Sequence, residues 1–275
     1  MSNYRRELDV AAAAARTAGA AAMRHYGTAS ATRKADASPV TEADHAANAV
    51  IAEAMARAFP RDAVLSEESI DDPARLRARR VWIVDPLDGT KEFLAQNGEF
   101  AVMIGLAAGG EAVLGVVYLP ATDVLYLAAV GMGAWVERGG RRRRLERPAA
   151  GGALRLVGSR SHADPLVQRM CEQLGITDVA PCGSVGVKCA RIVENLRDVY
   201  VHPVPHLKEW DTCAPEVMVR EAGGWVSDCR GRALRYNQPD PKQPHGIVVC
   251  ARGCSEAVLG VVRPLYEASL QSAAA

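Results

Sequence analysis

Arg80-Val81-Trp82-Ile83-Val84-Asp85-Pro86-Leu87-Asp88-Gly89-Thr90 is the stretch on which the reading of this chain turns. Its first part, Arg80 to Val84, is apolar and largely β-branched, as a buried strand requires. The strand is expected to stop at Asp85-Pro86, because proline disrupts a central ladder. Pro86 then stiffens the chain so that Asp85 and Asp88 can face one cation, with the Leu87 carbonyl between them. Gly89 permits close backbone approach. Thr90 opens a helical run through Ala95, whose free N–H groups are placed to receive a phosphate. Asp-Gly-Thr alone reads equally well as a turn with a capping aspartate. The whole hexapeptide behind an apolar strand is the stronger sign.

Toward the N-terminus, the pattern gives one helix over Tyr4 to Tyr26. A second runs over Thr41 to Ala58, with Thr41 as cap, Asp44 in the first turn and Pro60 as stop. A short apolar run, Ala63-Val64-Leu65, then delivers Ser66-Glu67-Glu68. Toward the C-terminus, the runs Phe100 to Leu106, Ala112 to Tyr118, Val124 to Val130 and Ala134 to Glu137 read as an antiparallel meander. Arg141 to Arg144 follow Gly139-Gly140 and are expected at a solvated hairpin tip. Pro148 to Gly152 is the best boundary. It gives an N-terminal α+β part over 1–150 and a C-terminal α/β part over 151–275, in which strands and helices alternate.

The chain has 275 residues and a formal net charge of +1, with 49% hydrophobic and 24% charged residues. That composition supports a globular fold and argues against disorder. Balanced charge and only 5% aromatic residues remove the basic footprint and the stacking platforms of a nucleic-acid binder. No apolar run is long enough to cross a bilayer. The alanine-rich segment Val10 to Met23 is interrupted by Arg16 and reads as an amphipathic helix rather than a leader. The 7 cysteines are scattered without framework spacing, as in a cytoplasmic enzyme with reduced thiols. Cys250 and Cys254 lack the companion ligands of a zinc site.

Glu67, Asp85, Asp88 and Asp211 all stand at the ends of predicted elements rather than along solvated faces. Asp211 is expected just before a helix over Thr212 to Ala222, with Pro215 in its first turn. Carboxylates converging from loops suit magnesium, which prefers hard oxygen ligands and keeps waters or phosphate oxygens in its shell.

These segments resemble the inositol monophosphatase-like superfamily of magnesium-dependent, lithium-sensitive phosphatases. The resemblance rests on Pro39-Val40-Thr41-Glu42-Ala43-Asp44, Leu65-Ser66-Glu67-Glu68, Trp82 to Thr90 and Glu209-Trp210-Asp211-Thr212, in the family's order over nearly the whole chain. Trp210 to Glu216 and Ser159-Arg160-Ser161-His162 look most like the 3′(2′),5′-bisphosphate nucleotidases. The resemblance implies an αβαβα five-layer α/β sandwich of the inositol monophosphatase and fructose-1,6-bisphosphatase type. It also implies two or three Mg2+ per site, a phosphorylated nucleotide as substrate, and a monomer or homodimer. The expected activity is hydrolysis of adenosine 3′,5′-bisphosphate to AMP and phosphate, which would clear a by-product of sulfate assimilation.

Carried over by position, Glu67, Asp85, Asp88 and Asp211 become metal ligands together with the Leu87 carbonyl. Asp44 and Thr90 become the pair that orients and deprotonates the attacking water, and the Gly89 and Thr90 amides hold the phosphoryl group. Ser159, His162, Gly183, Ser184 and Lys188 are expected at the nucleotide, and Glu209 near its ribose. Each role has a plainer competitor. Asp44 also fits a first-turn helix charge, Thr90 and Asp211 fit caps, and Lys188 fits a surface lysine on a capped helix. Glu68 fits ligand support, a supporting contact or solvent. The rival functions are an inositol monophosphatase or another sugar-phosphate phosphatase, and a non-catalytic nucleotide binder. The His202-Pro203-Val204-Pro205-His206 segment and the arginine tract match no role.

Overall fold

A computed structural model describes residues 4–34, 39–146, 149–160 and 164–274. Helix α1 (Arg5–Met23) presents a file of alanines inward, and the tiny strands β1 (Thr32–Arg33) and β2 (Pro39–Val40) that follow it pair antiparallel. Helix α2 (Glu42–Ala58) starts at Thr41 with a full capping box. The Thr41 side chain takes the Ala43 amide, while Asp44 returns its carboxylate to the Thr41 amide and hydroxyl. Strand β3 (Ala63–Ser66) is followed by a 3-10 turn over Pro73–Arg77. Then come β4 (Arg80–Asp88), the short helix α3 (Thr90–Leu94), and the meander β5 (Ala101–Ala108), β6 (Glu111–Leu119), β7 (Val124–Ala129), β8 (Gly133–Arg138) and β9 (Arg141–Leu145).

The second part runs β10 (Arg155–Ser159), α4 (Pro165–Leu174), β11 (Asp178–Cys182), α5 (Val185–Val193) and β12 (Val199–His202). It continues with α6 (Glu209–Glu221), β13 (Trp225–Ser227), β14 (Ile247–Cys250) and α7 (Ser255–Ala274). Strands β3 to β9 form a seven-stranded sheet in sequence order, parallel only between β3 and β4. The other sheet has five strands in the order β11-β10-β12-β14-β13. Helices α1 and α2 pack together on one face of the large sheet, and α5 and α6 lie on its other face. The small sheet covers α5 and α6 in turn, and α4 with α7 closes its outer side. The layers are therefore αβαβα, as the sequence resemblance implies.

Three local expectations need correcting, and one strand is unanticipated. The β4 strand does not end at Asp85-Pro86 but runs to Asp88, with the register against β5 slipping between Asp85 and Asp88. Pro86 falls inside that irregularity, where the ladder is interrupted and its missing N–H costs nothing. Arg141 to Arg144 are exposed, yet they form β9, the edge strand; only Gly139-Gly140 makes the turn. Strand β11 is absent from the sequence reading, because its Asp-Val-Ala-Pro-Cys pattern carries no apolar alternation. Helix α6 begins at Glu209, before Thr212, so Asp211 sits within its first turn and Pro215 lies further inside. Among the described residues, no helix is long and apolar enough to cross a membrane.

Candidate metal-dependent phosphatase site

Three elements bring the acidic groups together. The slipped end of β4 turns Asp85 and Asp88 to one side, and the first turn of α6 delivers Asp211. One carboxylate oxygen from each lies within 4.8 Å of the others. Glu67 follows directly from β3, and its amide donates to the Val84 carbonyl at 3.2 Å, which fixes it beside β4. From behind, α2 holds this loop: the Ser66 hydroxyl donates to Asn48 Oδ1 at 2.7 Å, and Asn48 Nδ2 donates to the Glu68 carbonyl and the Ser69 hydroxyl.

The electrostatics of the cluster are unfavourable without a cation. Burial, then the charges of Glu67, Asp88 and Asp211, push the Asp85 carboxyl well above its ordinary range. Asp211 is raised in the same way by burial and by Asp88 and Glu67. Burial also raises Asp88, against the opposing pull of Ser184, the Gly186 amide and Lys188. Burial raises Glu67 despite Lys34, whose ammonium bridges Glu67 at 2.6 Å and also Glu68. Hard oxygen donors, several formal negative charges and little water are the conditions in which a divalent cation binds well. The residues present therefore fit the metal that the resemblance implies.

Individual donors are oriented by hydrogen bonds that leave other oxygens for a ligand. Asp85 Oδ1 takes the Leu87 amide at 3.0 Å. Asp88 Oδ2 takes the Ser184 hydroxyl and the Gly186 amide, the latter at 2.7 Å. Asp211 Oδ2 takes the Lys208 amide at 2.6 Å, closing a capping box at the start of α6. Each carboxylate keeps its second oxygen out of these bonds.

Beside the cluster, the Thr90 hydroxyl donates to Asp44 Oδ1 at 3.1 Å and lies 3.4 Å from the Leu87 carbonyl. Asp44 is 2% exposed and occupies its other oxygen with Thr41. Thr90 therefore donates its hydroxyl proton toward Asp44 and can accept a hydrogen bond from water. Gly89 makes this corner possible. Its φ is +97°, and a Cβ there would stand 2.9 Å from the Glu99 carbonyl. Gly89 and Thr90 open α3, and the first amides of a helix have no acceptor within it.

The residues expected on the substrate side occupy different surroundings. Ser184 is buried as the N-cap of α5, taking the Val187 amide and giving its proton to Asp88. Lys188, 2% exposed, donates to the Gly183 carbonyl and lies 5.1 Å from the centre of the Tyr200 ring. Both stand beneath Asp88 rather than on an open surface. Gly183 gives its amide to Glu99 and packs so tightly on Glu92 that a Cβ would overlap it. Ser159, at the end of β10, lines an apolar cavity of about 490 Å³ with Leu156, Val179 and Val201. His162 lies outside the described residues.

Glu209 is engaged within the protein. It is fully buried, and both carboxylate oxygens are taken by backbone amides, from Asn237 at 2.6 Å and Gln238 at 2.7 Å. Burial lifts its carboxyl to about 7. Glu209 stands two positions from Asp211, the neighbour that suggests a place near the ribose. On a helix that spacing turns side chains apart.

The chain belongs to the inositol monophosphatase family, whose model matches residues 3–265. It is 42% identical to the 3′(2′),5′-bisphosphate nucleotidase CysQ of Salmonella typhimurium, over 81% of this chain and 90% of that one. A 3′-phosphoadenosine 5′-phosphate phosphatase of Mycobacterium leprae is 37% identical over 82% of each. Among solved structures, CysQ from Bacteroides thetaiotaomicron superposes with a TM-score of 0.79 at 33% identity, covering 90% of this chain and 98% of the other. The IMPase of Thermotoga maritima reaches the same TM-score of 0.79 at 25% identity, over 95% and 98%.

Proposed function

We propose that this chain is a magnesium-dependent phosphomonoesterase that removes the 3′-phosphate of adenosine 3′,5′-bisphosphate, consuming one water and yielding AMP and inorganic phosphate. The observation that carries this reading is the juxtaposition of the Asp85–Asp88–Asp211 cluster with the Thr90–Asp44 pair. The first is an anionic cradle for cations, and the second is a relay for one proton.

Asp85, Asp88, Asp211 and Glu67, with the Leu87 carbonyl, would hold the cations. When bound, these polarise the phosphoryl oxygens and lower the pKa of a water. The residues of the chain do the rest. Thr90 accepts a hydrogen bond from the attacking water, and Asp44 fixes the direction of the Thr90 hydroxyl. The Gly89 and Thr90 amides, at the start of α3, would meet the negative charge that spreads over the phosphoryl oxygens. Ser184 and Lys188 act from beneath, Ser184 by its hydrogen bond to Asp88 and Lys188 by its charge. Ser159 and the cavity beside it offer an apolar surface for the nucleoside. The names of the CysQ relatives and of the Mycobacterium leprae phosphatase support the nucleotide over the sugar. A cytoplasmic role in clearing this by-product of sulfate assimilation, and lithium sensitivity, belong to the same reading.

Phosphate release from adenosine 3′,5′-bisphosphate, inositol 1-phosphate and fructose 1,6-bisphosphate, with and without magnesium, tests it. The nucleotide is expected to have the highest kcat/KM, and chelation to abolish turnover. Thr90→Ala is expected to lose about 10²–10⁴-fold in kcat, the range of general acid–base catalysis, while Thr90→Ser keeps most of it. Preference for inositol phosphate would overturn the substrate assignment. Full turnover in Thr90→Ala would overturn the proton relay.

A further inference from the structure

Residues 236–243, Tyr-Asn-Gln-Pro-Asp-Pro-Lys-Gln, form an irregular strap that enters neither sheet. On one side it wraps the start of α6. The Glu209 carboxylate takes the Asn237 and Gln238 amides, and the Glu209 amide donates to the Pro241 carbonyl at 2.8 Å. The Gln243 amide donates to the Leu207 carbonyl at 2.8 Å, and its side chain donates to the Thr212 hydroxyl at 3.2 Å.

On its other side the strap meets Arg75, a buried guanidinium in the 3-10 turn that follows the Glu67-Glu68 loop. Arg75 is held bidentately by Asp71 at 2.6 and 2.8 Å. Its remaining nitrogen donates to Asn237 Oδ1 at 2.9 Å and to the Gln238 carbonyl at 3.0 Å. Asn237 Nδ2 returns a bond to the Arg75 carbonyl at 2.9 Å. Asn237 sits at φ +58°, a left-handed conformation that asparagine tolerates better than most residues.

The two ends of this chain of contacts are the elements that deliver Glu67 and Asp211 from opposite halves of the molecule. The carboxylates there repel one another, so the cluster needs rigid support to stay convergent. We infer that Arg75 and Asn237, acting through Glu209, are positioning residues that set the distance between Asp211 and the Glu67 loop and so tune cation affinity. None of the three faces the acidic cluster, and the effect travels through the strap.

The inference rests on the cation site proposed above, so the wild-type chain serves as its own control. Mn2+ binding is measured by calorimetry on wild type, Asn237→Gly, Arg75→Lys and the double variant, alongside melting temperature and the magnesium dependence of turnover. Asn237→Gly deletes the side chain without disfavouring the left-handed backbone. Each single variant is expected to weaken Mn2+ binding about tenfold, the scale on which residues that orient metal ligands act. The half-saturating magnesium concentration should rise in proportion, while KM for the nucleotide at saturating magnesium stays within about twofold. The double variant should be no worse than the poorer single one, because both break the same link. A lowered melting temperature with wild-type Mn2+ affinity in folded variants would overturn the positioning role. Should Asn237→Gly fail to fold, Arg75→Lys decides alone by the same comparison. If the wild-type chain takes up no Mn2+, the cation site itself falls and the strap's role falls with it.

Discussion

Ionisation of Asp85 is opposed by burial and by the charges of Glu67, Asp88 and Asp211. Removing its charge in cation-free protein should therefore stabilise the fold. Asp85→Asn is expected to raise the melting temperature in chelator by a few degrees while lowering turnover by about 10³-fold, the scale of losing one electrostatic stabiliser. A lower melting temperature in chelator would show that the charge is not strained. Glu99 behaves in the opposite sense. Burial alone would raise it, but Arg160, the Gly183 amide and Arg191 more than offset burial and leave it below its ordinary value. A depressed carboxyl stabilises the fold above its unfolded pKa, and that stabilisation disappears as pH falls through the folded value. The gap in melting temperature between wild type and Glu99→Gln should thus be full above about pH 5 and close in strong acid. A gap independent of pH would contradict this. At this scale Glu67, Asp85 and Asp88 stood out in the sequence as carboxylates after apolar runs, whereas the Asp44–Thr90 contact was expected only through the family resemblance. Glu99 and the Arg75–Asn237 link were not legible, since those partners lie far apart in sequence.

Helix α6 owes its position to two glycines on the strands beneath it. A Cβ at Gly105 would stand 2.5 Å from the Cys213 sulfur, and one at Gly115 only 2.1 Å from the Ala214 carbonyl oxygen. Gly115→Ala should therefore push α6 away and cost about 1–3 kcal/mol by overpacking. Gly260→Ala, in the interior of α7 with open space around it, should gain about 0.5–1 kcal/mol. Urea unfolding of both variants checks the pair, and equal effects would refute the seating of α6 on the sheet. The sequence pattern located α6 but not its first turn, because Glu209 and Asp211 look like polar loop residues until the strap and the capping box account for them. β9 was misread for a related reason: four arginines in a row signal solvent, and an edge strand meets solvent as readily as a loop does.

Across the whole molecule, one apolar cluster joins the two sheets. Ile83, Met103 and Val117 of the large sheet meet Ala190, Val217 and Met218 of α5 and α6, and these meet Tyr200 and Val249 of the small sheet. The composition boundary near 150 thus separates sheets, whereas packing ties the halves together. Calorimetry is expected to show one cooperative transition, and residues 1–150 alone should fail to give a folded protein. Two resolved transitions would contradict that. The layered architecture was reachable from the sequence only through family resemblance; alternation of elements gave the class but not the stacking.

The account depends most on oxygen ligands from β4 and α6 sharing cations. A crystal soaked in manganese and measured at the manganese edge tests this directly. Anomalous peaks are predicted between Asp85, Asp88 and Asp211, with Glu67 turned toward them. Peaks elsewhere, or none among those carboxylates, would contradict it.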